Sequence, residues 1–368
     1  MQKLNFIDLI KQQKVISVDL TPRIAKVLKD GQYLFGQEVD ELEVKLVKRT
    51  GTKYCVSVGG TDALIIALMS MDIGHGDEVI VPAFTFAATI EAVLLVGAIP
   101  VLVDIETASC NICCSSIIEK ISSKIKAIIP LSLYGQMAKL DDIMRLKSGY
   151  PNIQVLEDAA QSFGATRHGL KSCGASDIAC TSFFPSKPLC AYGYGGAIFT
   201  NNLTLARRCI RLRNHGQEGK YNHVEHGFLS RLDTIQAAIL LSKFEVFDDE
   251  VNSRLLLSKR YEKKCDCIGL AYVKTSDGNI NLCAQYTILT PAENDRDQLV
   301  EFLSNSGITT AIHYPKALHK YIPYEAYGNN DLINSESIAN RVISLPFNPY
   351  ISDGEVDTIF EVITNYVS

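Results

Sequence analysis

The chain has 368 residues, 47% of them hydrophobic and 21% charged, with a formal net charge of −5. That apolar content suits a large core in one large and one small domain, and the acidic balance lacks the basic field that holds a nucleic-acid backbone. No run approaches the roughly 18 apolar residues of a membrane span, and charges interrupt MQKLNFIDLIKQQ where a signal peptide needs about 7 to 15 apolar residues, so a soluble cytoplasmic protein is expected.

From about residue 25 to 245, short apolar runs alternate with amphipathic segments, the pattern of an α/β sheet. KYCVSV, DEVIVP, IPVLVD, KAIIPLSL, NIQVLED, DIACTSF and GGAIFTN read as buried strands. Their near-continuous apolarity and β-branched content suit a mostly parallel sheet covered on both faces. TDALIIALMSM and AATIEAVLLVG read as helices, ended by the turns HGD and VGA. A helical stretch opens with Ser230 as N-cap and runs without Gly or Pro to Cys265, long enough to bridge two domains. After it the pattern changes: AQYTILT and TTAIHY read as strands, DRDQLVEFLSNSG and GEVDTIFEVITNYV as helices. Residues 1–248 are therefore read as a large domain and 249–368 as a small α+β domain. The 11 cysteines are an odd number scattered along the chain, which points to free thiols rather than disulfides or metal.

Ligands of open parallel sheets collect beyond the carboxyl ends of the strands. NIQVLED ends in Asp158, followed closely by Gln161, and the strand ACTSF leads to Ser182 and Lys187. A turn and a strand between Asp158 and Lys187 put both on one edge of the sheet. An acid and a lysine so placed meet two needs of pyridoxal chemistry. A buried carboxylate keeps a pyridine nitrogen protonated, and a partly buried lysine is held neutral, ready to bond an aldehyde and to carry a proton. The third need is a phosphate cup. Gly59-Gly60-Thr61-Asp62 lies between a strand and a helix, where free N–H groups and the helix dipole receive an anion. Ser182 adds a hydroxyl, and Phe86 can lie against a ring. Taken singly, each residue has a plainer explanation. A lysine is usually a solvated charge, an Asp after a strand a turn residue, a Gly-Gly-Thr-Asp run a helix cap and Phe86 a core side chain. Neither a dinucleotide G-x-G-x-x-G fingerprint nor a P-loop is present.

With those segments in place, the sequence resembles the DegT/DnrJ/EryC1/StrS aminotransferases. FIDLIKQQ, GTDAL, PAFTFAATIEA, SLYGQ, EDAAQSFGA, SFFPSKPL, SRLDTIQAAIL, HYPKALH and SLPFNPY carry the resemblance over nearly the whole length. It implies a fold-type I, aspartate aminotransferase-like α/β enzyme that uses pyridoxal 5′-phosphate to aminate nucleotide-linked keto-sugars. It implies a homodimer whose sites share residues. It further implies that Lys187 carries the cofactor through a Schiff base, Asp158 pairs with the ring nitrogen and Gln161 lies near the ring hydroxyl. Gly60, Thr61, Asp62 and Ser182 fall on the phosphate side, Phe86 on the ring face. His313 and Tyr314 align with a segment that faces the sugar, and Arg231 with one that approaches the partner's site. For these three, a polar strand end and an intrachain ion pair are equally good explanations. Within the family, SFFPSKPL and YNHVEHG…SRLDTIQAAIL look most like enzymes that use glutamate to aminate C3 of a UDP-linked 3-keto-N-acetylglucosaminuronic acid for bacterial surface polysaccharide. Other UDP- or dTDP-keto-sugars are the alternative substrates.

Four positions depart from the family pattern. Leu229 stands where an Asn reaches the other subunit's phosphate, and an apolar side chain donates no hydrogen bond there. Tyr194 replaces an acid, Cys190 a glycine and Gly59 an Asn or Ser. These departures support a rival reading, a non-catalytic sugar-nucleotide sensor. A dehydratase on the same fold is disfavoured because its relatives carry His where this chain has Lys187.

Overall fold

The computed structural model describes residues 4–291, 295–329 and 331–367. A seven-stranded sheet organises the first two-thirds of the chain. In chain order its strands are β1 (Tyr54–Val58), β2 (Glu78–Pro82), β3 (Ile99–Val103), β4 (Ile125–Ile128), β5 (Gln154–Asp158), β6 (Ile178–Ser182) and β7 (Gly196–Thr200). The spatial order is β1-β7-β6-β5-β4-β2-β3. Every neighbouring pair is parallel except the two made by β7, which runs antiparallel to β1 and β6.

Alternation along each strand divides the core in two. Ile80 of β2 packs with Val155, Phe199 and the buried residues of α2 (Gln37–Thr50), α6 (Leu140–Ser148) and α8 (Thr234–Ile268). Its neighbours Val79 and Val81 point the other way, into a layer with α3 (Asp62–Ser70), α4 (Ala87–Leu95) and α7 (Leu203–Leu212). Both faces are covered, which is why the strands read as continuous apolar runs.

Helix α8, 35 residues long, ends at Gly269, whose φ of 67° suits the left-handed cap. Its Ala237, Leu240 and Leu241 pack under the large sheet. Tyr261 and Cys265 pack with a three-stranded antiparallel sheet of β8 (Ala271–Tyr272), β9 (Tyr286–Leu289) and β10 (Val342–Leu345), order β8-β9-β10. Helix α9 (Asp295–Asn305) and the terminal helix α11 (Asp353–Val367) close that second core. No helix among the described residues is long and apolar enough to cross a membrane.

Three local expectations are corrected. KAIIPLSL is not a strand throughout: β4 stops at Ile128, Pro130 has no N–H for a ladder, and Leu133–Gly135 is a 3₁₀ turn. TTAIHY makes only an isolated bridge, Ala311 with Ser344. Ser230 is not the cap of α8, which begins after Asp233. Its hydroxyl instead accepts the Gly59 N–H at 3.0 Å, tying the start of the long helix to the turn after β1. A helix the sequence pattern did not mark, α1 (Leu9–Asp30), packs on α8 through Ile16 and Leu20. Its frequent charges hid the apolar stripe.

Candidate active site

Strands β1, β2, β5 and β6 run in the same direction, and the segments after them converge on one cavity of about 410 Å³. Gly60 and Thr61 come from the turn before α3, Phe86 from the start of α4, Asp158 and Gln161 from the end of β5, Ser182 from the end of β6 and Lys187 from the loop after it. His313 and Tyr314 close it from the side of the small sheet. Asp62 and Arg231 do not line the cavity. The Asp62 carboxylate stands 2.9 Å from where a Cβ on Gly59 would be. Arg231 lies over the Phe35 ring at 5.3 Å, its Nε buried without a hydrogen-bond partner.

Alternation sends Asp158 into the cavity and Glu157 to the opposite face of β5. Glu157 accepts from Ser132, Ser172 and the Cys173 N–H, and burial raises its pKa to about 7. Asp158 is 4% exposed and accepts from the Thr89 hydroxyl at 3.0 Å and the Ala160 N–H at 3.1 Å. Burial raises its pKa, and the Lys187 charge opposes that rise. Lys187 is half-buried, and its Nζ makes no hydrogen bond or ion pair among the described residues. Desolvation lowers its pKa, favouring the neutral amine.

Gln161 is fully engaged. It accepts the Tyr134 N–H at 2.8 Å and donates to the Tyr314 hydroxyl at 3.0 Å. Burial raises the Tyr314 pKa, so the phenol stays protonated. The rings of Tyr314 and Phe86 are 5.8 Å apart. His313 Nδ1 pairs with the Ser344 hydroxyl at 3.0 Å, and burial lowers the imidazole pKa to about 4. At the other end of the cavity, the N–H groups of Gly60, Thr61 and Asp62 make no intramolecular hydrogen bond among the described residues. They sit at the positive end of α3, as an anion requires.

These features fit pyridoxal phosphate. A buried carboxylate in no ion pair among the described residues suits a protonated ring nitrogen, a free amine suits an aldehyde, and open N–H groups suit a phosphate. Thr89 and Gln285 are among the lining residues that the sequence reading did not single out. Thr89, 1% exposed, is a polar side chain on the buried face of α4, a visible signal where the other buried residues are apolar. Gln285 precedes β9 and carries no motif. Of the departing positions, only Tyr194 lines the cavity. Cys190 points away, its sulfur 3.1 Å from the Lys243 amine, and Leu229 is exposed.

A mostly parallel sheet with this group at its carboxyl edge defines a fold-type I, pyridoxal-phosphate-dependent aminotransferase. The profile of the DegT/DnrJ/EryC1/StrS aminotransferase family matches residues 15–364, and the chain belongs to that family. It is 44% identical over 363 residues, 98% of this chain and 100% of the relative, to UDP-2-acetamido-2-deoxy-3-oxo-D-glucuronate aminotransferase of Pseudomonas aeruginosa. A DegT DnrJ EryC1 StrS aminotransferase from Brucella abortus superposes with a TM-score of 0.94 at 38% identity, covering 99% of this chain and 100% of that one. NtdA from Bacillus subtilis, solved with bound PMP, superposes with a TM-score of 0.92 at 29% identity, covering 100% of this chain and 86% of that one.

Proposed function

We propose that this aminotransferase moves an amino group from glutamate to C3 of a UDP-linked 3-keto-N-acetylglucosaminuronic acid, in the cytoplasm, for bacterial surface polysaccharide. The substrate assignment is carried by the 44% identity to the Pseudomonas aeruginosa enzyme over the whole of that relative. A homodimer with shared sites is part of the same reading. It is supported by exposed aromatic and apolar side chains by the cavity, Phe86 at 56% and Tyr194 at 79%, and by Leu229 at 54%.

When bound, pyridoxal phosphate supplies an electron sink that eases removal of a proton from the carbon bearing the amine. We assign the residues around it as follows. Asp158 keeps the ring nitrogen protonated, and the Thr89 hydroxyl and Ala160 N–H hold its carboxylate in place. Gly60, Thr61 and Ser182 receive the phosphate, and Asp62, first residue of α3, adds its N–H at the positive end of the helix. Phe86 covers one ring face. Gln161 orients the Tyr314 hydroxyl. Lys187 Nζ, whose pKa desolvation lowers, takes the proton from the substrate carbon and returns it to the acceptor. His313 stays neutral at pH 7 and offers the sugar a hydrogen-bonding ring without charge.

Purified protein supplied with the cofactor is expected to show a visible band that glutamate bleaches. Lys187→Ala is expected to lose the lysine-linked band and to lower turnover by about 10²- to 10⁴-fold or more. Glutamate-independent absorption, or turnover retained in Lys187→Ala, rules this function out.

A further inference from the structure

We propose that Ser344 and Thr287 are positioning residues that hold the His313 ring with its proton on Nδ1, leaving Nε2 as a bare acceptor for a hydroxyl of the keto-sugar. This rests on the reaction proposed above. Thr287 of β9 and Ser344 of β10 are cross-strand partners in the small sheet, both buried, with their hydroxyl oxygens 3.0 Å apart. Ser344 Oγ is also 3.0 Å from His313 Nδ1. The His313 ring lines the cavity, whereas Ser344 and Thr287 are not among the lining residues. Its Nε2 makes no hydrogen bond among the described residues and, unlike His319 Nδ1, is not sealed off.

The protonated nitrogen follows from the supply of donors. A neutral imidazole has one N–H, and each hydroxyl donates once. Burial holds the His313 pKa near 4, so the ring is neutral at pH 7. Tyr134 anchors the far end of the chain of hydroxyls. Its O–H donates to the His313 carbonyl oxygen, which can only accept, so that proton is committed. Burial raises the Tyr134 pKa, and a hydrogen bond from Thr287 opposes that rise. With Thr287 donating to Tyr134, Ser344 donates to Thr287. The Ser344 oxygen then accepts from Nδ1, and Nε2 carries no proton. The reverse order, Thr287 to Ser344 to Nδ1, takes the donor away from the Tyr134 oxygen and loses one hydrogen bond in a buried site.

Nδ1 and Nε2 point in nearly opposite directions from one ring, so a ring that turns Nδ1 to Ser344 turns Nε2 away from the small sheet. A bare Nε2 is selective. It accepts from a hydroxyl or an N–H and repels the lone pairs of a ketone, a carboxylate or a phosphate. Glutamate meets it with carboxylates and gains nothing from it. A sugar brings hydroxyls, each with a proton to donate. The hydrogen bond therefore belongs to the sugar half of the reaction, and Ser344 and Thr287 act on that half through His313.

The first readout needs no substrate. Holoenzyme with isotope-labelled histidine rings is read by nitrogen NMR, and His313→Gln assigns the His313 signals by their loss. The proton is expected on Nδ1 in wild type, and a proton on Nε2 overturns the assignment. Thr287→Val keeps the shape of the side chain and removes its hydroxyl, so Ser344 is left to donate to Nδ1. The proton is then expected on Nε2, and a ring unchanged in Thr287→Val overturns the relay. The second readout is kcat/KM for each half-reaction, with glutamate and with a UDP-linked 3-amino sugar. Thr287→Val and Ser344→Ala are expected to lower the sugar value about three- to tenfold and to leave the glutamate value within about twofold. Equal losses in both halves, the mark of a packing role, overturn the positioning role, and so does no loss in either. Wild type that reacts with glutamate but with no nucleotide-linked amino sugar overturns the substrate reading and the sugar contact with it, whatever the spectra show.

Discussion

At His313, burial and the nearby Lys187 amine hold the imidazole pKa near 4, against an ordinary 6.5. Between those values the unfolded chain binds a proton that the folded chain refuses. Stability therefore falls as pH drops from about 6.5 toward 4 and gains nothing further from this group below that. The ceiling of the effect is about 3 kcal/mol. In cofactor-free protein, His313→Gln is expected to flatten the loss of stability between pH 7 and pH 4.5 relative to wild type, as read by urea unfolding. Parallel pH profiles for the two proteins would remove His313 as a titrating group. Asp158 and Lys187 were legible as a pair, because polar residues that follow apolar strands are conspicuous. Gln285 was not. A single amide before an alternating strand has no pattern of its own, and only its place in the cavity wall distinguishes it.

At the scale of elements, the phosphate turn depends on how closely β7 approaches it. A Cβ on Gly196 would stand 2.7 Å from the Thr181 carbonyl oxygen and 2.9 Å from that of Gly60. Both are backbone atoms, so a side chain there must move β6 or the turn itself. Gly196→Ala is expected to cost about 1–3 kcal/mol of stability and to weaken cofactor binding by displacing Gly60. Chemical unfolding and fluorescence titration with the cofactor check the two effects separately, and an unaltered affinity would mean that the turn is not set by β7. The strands of the large sheet were readable because each is apolar on both faces. The 309–314 segment misled because its alternation resembles a strand, while only Ala311 forms a β-bridge, to Ser344. Ser230 misled for a related reason. Ser at the head of a helical run is ordinarily a cap, but here its hydroxyl is taken by the Gly59 N–H.

For the whole molecule, the proposed sharing of sites between subunits has a direct consequence. The particle is expected at about 81 kDa, twice the 40.5 kDa chain, by light scattering. Arg231 does not reach its own cavity, and its Nε is buried without a partner. If it serves the other subunit, Lys187→Ala and Arg231→Ala proteins, each inactive alone, regain activity when dissociated and mixed. Random pairing restores one site in half of the dimers, so recovery approaches about a quarter of wild type. No recovery would mean that Arg231 acts within its own chain. Local order, by contrast, was settled early. Apolar periodicity determined a covered, mostly parallel sheet, and the segments EDAAQSFGA and SFFPSKPL determined the lysine and the acid at its edge, because both are properties of neighbouring residues. What the tertiary structure decided is which distant groups share the cavity and which do not: Thr89 on Asp158, Tyr314 on Gln161, Gln285 with no side-chain hydrogen bond among the described residues, and Cys190 turned away toward Lys243. Those relations depend on how α4, the small sheet and α8 pack against the large sheet. Packing over such separations leaves no periodic trace in the chain.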